Sequence, residues 1–305
     1  MQVTGLAAVA GMAGGDEFSV AIKDDGSVWT WGADDPLVPA KVEGLSGVVS
    51  AASGPKYGPS GQLGPYNLAV RSDGSLWEWG LRFGETFPRG PSQVSGFSDV
   101  AAAVPASARN LVLTRDGTIW EWRTSDPKPS RISGLTDVVA IAAAACFWDG
   151  PPPDECPSLD LALKGDGTVW AWGANFHGQL GDGTDNRRAV PVQVTGLSDV
   201  AAVATRTFTG FMGGFAGDVH SVALKHDGTV WEWPIWEDLT AKSLVPVQVA
   251  GLSDIVAVAE GGGHSLELKR DGTVWAWGRN IYGQLGVRTI VIRTTPVQVV
   301  GPATQ

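Results

Sequence analysis

The chain has 305 residues, 43% of them hydrophobic, and a formal net charge of −10, which allows a large core in a single domain. Its acidity repels phosphate backbones and anionic membrane surfaces, and so argues against nucleic acid and lipid as partners. No apolar run approaches the roughly 18 residues of a membrane span, and Met1 to Leu6 show neither part of an export signal, so a soluble chain is expected, its signal trimmed or never present.

Taken in order, the chain repeats one unit six times. A Gly-Leu type of turn leads into an Ala/Val run and then an alternating segment such as Leu161-Ala162-Leu163-Lys164. Asp-Gly follows, then Ser or Thr, an aliphatic residue and Trp-x-Trp, and a Pro-Val-Gln-Val stretch such as Pro191 to Val194 completes the unit. The Asp-Gly to Trp segments are Asp25 to Trp31, Asp73 to Trp79, Asp116 to Trp122, Asp166 to Trp172, Asp227 to Trp233 and Asp271 to Trp277, and they hold 12 of the 14 tryptophans. Their glycines are spaced by 48, 43, 50, 61 and 44 residues, an irregularity that suits propeller blades better than a tightly stacked solenoid.

Each unit predicts four antiparallel strands, with Asp-Gly as the hairpin signal between the second and the third. No segment has a helical period, so the expected fold is all-β: a single β-propeller domain of six blades spanning residues 1–305. A seventh blade would need roughly four dozen further residues. The chain begins and ends at nearly the same phase of the repeat, so six whole units are expected, with the pairing of the two ends left open. Trp at i and i+2 shares one face of its strand, so each blade offers two indoles of roughly 150–250 Å² apiece to its neighbour. Small runs such as Val258 to Gly263 suit a crowded axis.

The units differ at one place. From the glycine of the Gly-Leu turn to the glycine of Asp-Gly they measure 21, 30, 21, 33, 32 and 21 residues. The additions, Gly54 to Tyr66, Cys146 to Ser158 and Thr205 to Val219, fall in the loop joining the first and second strands. Equivalent loops leave a propeller on one face, and these carry Tyr57, Tyr66, Phe147, Trp148, Phe208, Phe211, Met212 and Phe215. They are the candidate partner-binding residues, since aromatic rings supply large contact area at low entropic cost. The alternative is that they fold inward to cap the channel or pack on one another. Cys146 and Cys156 share one Pro/Gly-rich insert and read as a local disulfide, hence an extracellular or cell-surface location; two free thiols are the alternative.

No catalytic residue is expected. His220-Ser221 and His264-Ser265 occupy matching repeat positions and read as structural hydrogen-bonding pairs, while His177 lies in a loop and His226 beside Asp227. Cys146 has no histidine within its insert, and no spacing implies a nucleophile beside a base. Gly181 to Asn186 looks like a calcium loop but lacks alternating oxygen ligands and a distal glutamate, so it reads as an Asp/Gly turn. Asp149, Asp154 and Glu155 read as solvated loop acids. No metal and no cofactor is expected.

Gly173 to Gly181 and Gly278 to Gly286 both read G-x-N-x-x-G-Q-L-G. With His264-Ser265-Leu266 and the Asp-Gly-Thr-Val-Trp strands, the chain resembles the regulator of chromosome condensation repeat family over essentially its whole length, in a bacterial type. The resemblance implies a propeller, most often of seven blades in that family. Members exchange guanine nucleotide on a small nuclear GTPase, sense UV-B through clustered tryptophans, or clamp a β-lactamase as a secreted bacterial inhibitor; fold does not choose among these. The exchanger's basic segments and the photoreceptor's Gly-Trp-Arg-His-Thr pattern are absent here. The expected function is a non-catalytic protein-binding module, with cell-surface carbohydrate binding and nucleotide exchange as alternatives. An enzyme would need a polar cluster at the channel mouth, and none is named by the sequence.

Overall fold

Alternating apolar residues broken by Asp-Gly turns fold, among the described residues, into 24 strands arranged as six four-stranded antiparallel sheets, each of consecutive strands. The computed structural model describes residues 6–14, 18–32, 38–54, 66–80, 89–106, 109–123, 128–144, 159–207, 219–233, 243–261, 263–280, 283–287 and 289–300. Blade one is β1 (Val9–Gly14), β2 (Phe18–Lys23), β3 (Val28–Gly32) and β4 (Ala40–Lys41); blade two is β5 (Val48–Gly54), β6 (Tyr66–Arg71), β7 (Leu76–Gly80) and β8 (Arg89–Gln93). Blade three is β9 (Val100–Pro105), β10 (Arg109–Thr114), β11 (Ile119–Arg123) and β12 (Ser130–Arg131); blade four is β13 (Val138–Ala144), β14 (Leu159–Lys164), β15 (Val169–Gly173) and β16 (Arg188–Gln193). Blade five is β17 (Val200–Thr207), β18 (Val219–Lys225), β19 (Val230–Trp233) and β20 (Val247–Gln248); blade six is β21 (Ile255–Gly261), β22 (His264–Lys269), β23 (Val274–Gly278) and β24 (Arg293–Gln298). The fold is the all-β, six-bladed propeller that the repeat predicts, and among the described residues each blade is built of strands consecutive in the chain. Contacts divide the chain into two units, Met1–Ile141 with Pro151–Cys156 and Ala142–Gly150 with Pro157–Gln305, the division falling within β13.

The Asp-Gly turn does more than close a hairpin. In blade five, Asp227 Oδ1 accepts from the Thr229 backbone N–H at 2.9 Å and from its hydroxyl at 2.6 Å, and Trp231 Nε1 donates to Thr229 Oγ1 at 3.3 Å. This Asp, Ser/Thr, Trp relay recurs in the other blades, for instance through Asp73, Ser75 and Trp77, and explains the spacing of the motif. The glycine is needed twice. Gly74 has φ +78, and a Cβ on it would lie 2.9 Å from Asp99 Cα of the next blade, while its carbonyl accepts from Val100 N–H at 3.0 Å. Gly167 and Gly228 hold Val200 and Ile255 in the same way. The residue ahead of each first strand, namely Ala8, Gly47, Asp99, Asp137, Asp199 and Asp254, also has positive φ.

The two tryptophans of each pair play different parts. Trp79, Trp122, Trp172, Trp233 and Trp277 are buried. Trp79 and Trp77 pack on Val20, Ile22 and Val28 of blade one, and Trp277 and Trp275 on Val222, Leu224 and Val230 of blade five, so the indoles join successive blades as expected. The first indole of a pair is half-buried, and in four blades a cation covers it: Lys23 over Trp29, Arg71 over Trp77, Lys225 over Trp231 and Lys269 over Trp275, at 5.0 to 5.8 Å.

Candidate functional site

Strand register locates the inserts. Gly54 pairs with Tyr66 and Thr207 with Val219, so residues 55–65 and 208–218 leave from the paired ends of the first two strands, as the length comparison implies. Tyr57, Phe147, Trp148, Phe208, Phe211, Met212, Phe215, Cys146 and Cys156 lie outside the described residues. Tyr66 lies within β6, buried at 3% exposure, and its hydroxyl donates to Glu78 Oε2 at 2.9 Å. Tyr66 is therefore a core side chain at the insert's root rather than part of a loop face.

At the root of the fifth-blade insert lies a buried charged cluster. His220, beside the insert on β18, places Nε2 3.1 Å from Glu232 Oε2 of its own blade and Nδ1 3.1 Å from Glu260 Oε2 of blade six. Ser265 Oγ donates to Glu260 Oε1 at 2.7 Å, and Trp277 Nε1 donates to Glu232 at 3.1 Å. Thr205 Oγ1 donates to the His220 carbonyl and accepts from Ser221 Oγ. Burial pushes the imidazole pKa down, but the Glu260 charge and hydrogen bonds to both carboxylates outweigh it and raise it to about 9. Burial raises the Glu260 carboxyl, against the pull of His220.

Glu267 completes the cluster from β22. It is fully buried, and neither carboxyl oxygen has a hydrogen-bond partner. Burial first, then the charges of Glu260 and Glu232, push its pKa up to about 10, so it is protonated at neutral pH. Its position faces Trp275 across the hairpin, and the positions facing the first tryptophan in the other blades are Ala21, Ala69, Val112, Ala162 and Ala223.

Sequence reasoning did not name this cluster, although the signal is visible in Leu266-Glu267-Leu268 against Leu161-Ala162-Leu163, and in Glu260 within an Ala/Val run. Ser265, His220 and Glu232 form an array like a hydrolase triad, with Ser265 Oγ 3.5 Å from Nδ1. The chemistry does not follow. An imidazolium held between two carboxylates accepts no proton, the hydroxyl donates to Glu260, and Ser265 is only 1% exposed. His226 meets Asp199 at the surface, and His264 lies against Gly261.

The G-x-N-x-x-G-Q-L-G loops are braced from within. Asn175, fully buried, donates to the carbonyls of Thr184 and Asn186 at 2.9 and 3.1 Å and accepts from Leu180 N–H at 2.9 Å. Asn280 accepts from Leu285 N–H and donates to the Thr289 carbonyl in the same manner. Gln179 accepts from His177 N–H, and its carbonyl accepts from Trp233 Nε1 of blade five at 3.0 Å. Asp182 is pushed up by burial, but hydrogen bonds from Thr184 and Arg188 leave it below the usual carboxylate range. Its oxygens accept from Thr184 and Arg188 within the turn.

Six blades with relayed Asp-Gly hairpins and braced asparagine loops define a repeat propeller. The regulator of chromosome condensation repeat profile matches residues 166–224 and 271–305, with a second profile of that repeat at 255–284. The repeats at residues 166–224 and 255–305 are regulator of chromosome condensation repeats. It is 28% identical over 180 residues to the Arabidopsis thaliana RCC1 domain-containing protein RUG3, mitochondrial, covering 56% of this chain and 36% of that protein. It is 31% identical over 170 residues to the Mus musculus regulator of chromosome condensation, covering 52% and 35%. The chain thus spans about a third of these relatives. The crystal structure of Prp20p from Saccharomyces cerevisiae superposes with a TM-score of 0.74 at 18% identity, covering 97% of this chain and 78% of that one, a likeness of fold.

The extracellular or cell-surface location expected from Cys146 and Cys156 is corrected by these relatives, one named mitochondrial and the other a regulator of chromosome condensation. Spacing can make two thiols neighbours, but the compartment decides whether they are oxidised.

Proposed function

We propose that the chain is a non-catalytic protein-interaction module, one domain in which the blade cores hold shape and the inserts of blades two, four and five make the contacts. The supporting observation is one of register. The described cores repeat closely, whereas in blades two and five the added residues leave from the same position between the first two strands, and the sequence of the three inserts holds Tyr57, Phe147, Trp148, Phe208, Phe211, Met212 and Phe215. Rings clustered on loops over a rigid scaffold are the composition of an interface hot spot. Replacing Trp148 and Phe211 together with Ala is expected to weaken partner capture with little change in melting temperature. Unchanged capture, or loss of the fold, counts against this reading.

A second reading is favoured by the relatives: nucleotide exchange on a small GTPase. Prp20p is described with binding to Gsp1p and histones. Faster release of labelled GDP from a candidate GTPase on adding the chain supports exchange, and unchanged release rejects it.

A further inference from the structure

We propose that the junction between blades five and six is a proton-operated latch, in which the His220 imidazolium draws Glu232 and Glu260 together and loss of its one proton opens the junction at the root of the fifth-blade insert. The proposal stands on geometry and is independent of what the inserts bind. His220 is the described side chain that reaches carboxylates on both blades, at 3.1 Å to each. The groups facing it are Glu232 from β19, Glu260 from β21 and Ser265 from β22, and Glu267 from β22 lies within the field of the two carboxylates. Trp277 from β23 joins through Glu232, and β17 contributes Thr205 at the histidine's own carbonyl. Among the described side chains, His220 is the cation that contacts Glu232 and Glu260.

The consequence is a fixed sign. With the proton, one positive charge separates the two paired carboxylates and satisfies an oxygen of each. Without it, a neutral imidazole has a single N–H and can donate to only one. The other carboxylate then lies beside a like charge with no counterion, and its relief is to admit water by parting β18 from β21 and β22. The raised imidazole pKa of about 9 puts this event in the alkaline range.

The test uses the full chain with its indole nitrogens labelled with 15N, since Trp277 Nε1–H donates directly to Glu232. Between about pH 7 and about pH 10, the Trp277 indole signal is expected to shift or broaden together with the titration of the His220 ring carbons. The Trp29 and Trp120 indoles, bound to their own Ser27 and Thr118, are expected to stay fixed. His220→Gln is expected to show the alkaline Trp277 signal already at neutral pH and no transition. Glu260→Gln, with one carboxylate fewer, is expected to move the wild-type midpoint to lower pH. A His220 that titrates near its ordinary 6.5, or a Trp277 signal that stays constant through the His220 transition, overturns the proposal, and both readings come from wild type whether or not the variants fold.

Discussion

Glu267 stands where four blades carry Ala and one carries Val, and no hydrogen bond compensates its burial. An unpaired buried polar group costs roughly 1–3 kcal/mol, so Glu267→Ala, which restores the commoner residue, is expected to raise stability by about 1 kcal/mol after the lost packing is subtracted. His220 and Glu267 both bind their protons more tightly when folded, near 9 against 6.5 and near 10 against 4.5. Their contributions are complete below the ordinary values and are lost as pH rises to the folded ones. Thermal melts are therefore expected to be higher at about pH 6 than at about pH 9.5, with a smaller difference in Glu267→Ala. An equal or larger difference in the variant contradicts this account. Gly74→Ala meets both a left-handed φ of +78 and the Asp99 backbone, and is expected to destabilise by more than the roughly 1 kcal/mol of the dihedral alone. Ala8→Gly, at φ 55, is expected to stabilise by up to about 1 kcal/mol. The Asp-Gly hairpin was legible from residue type; the approach of the next blade to its glycine was not, because that contact joins residues of different repeats.

Most elements were legible for a simple reason: period-2 alternation and Asp-Gly turns are local, and six copies reinforce one another. The length of the fourth strand was not. β4, β12 and β20 have two residues, whereas β16 and β24 have six. In blades two, four and six the glycine that ends the third strand, Gly80, Gly173 or Gly278, pairs with Arg89, Arg188 or Arg293, extending the ladder. The Trp-x-Trp pair also conceals a division. Trp233 is fully buried and donates to Gln179, while Trp231 is half-buried under Lys225. Trp233→Ala is expected to cost about 3–5 kcal/mol and Trp231→Ala clearly less, as chemical denaturation with matched m-values would measure. Hydrogen bonds from Thr168 hold the Asp166 carboxylate at about 2, and the other hairpin aspartates are lowered by the same kind of bond. Their contribution is present above the ordinary value near 3.8 and is lost as pH falls toward 2.

At the scale of the whole molecule, repetition and irregularity divide the work. What repeats accounts for blade geometry, and what breaks the repeat marks where function can differ between relatives of one fold. The insert positions were legible because a repeat supplies its own reference length. The buried cluster was not, because its members come from six strands and acquire meaning only when blades five and six meet. The direct test of the binding account is affinity capture with a chain whose inserts in blades two, four and five are cut back to the length of the short units. The account predicts that this shortened chain melts near the parent temperature and no longer retains the protein that the parent retains. Equal retention by a folded, insert-free chain would contradict it and move binding to the blades themselves.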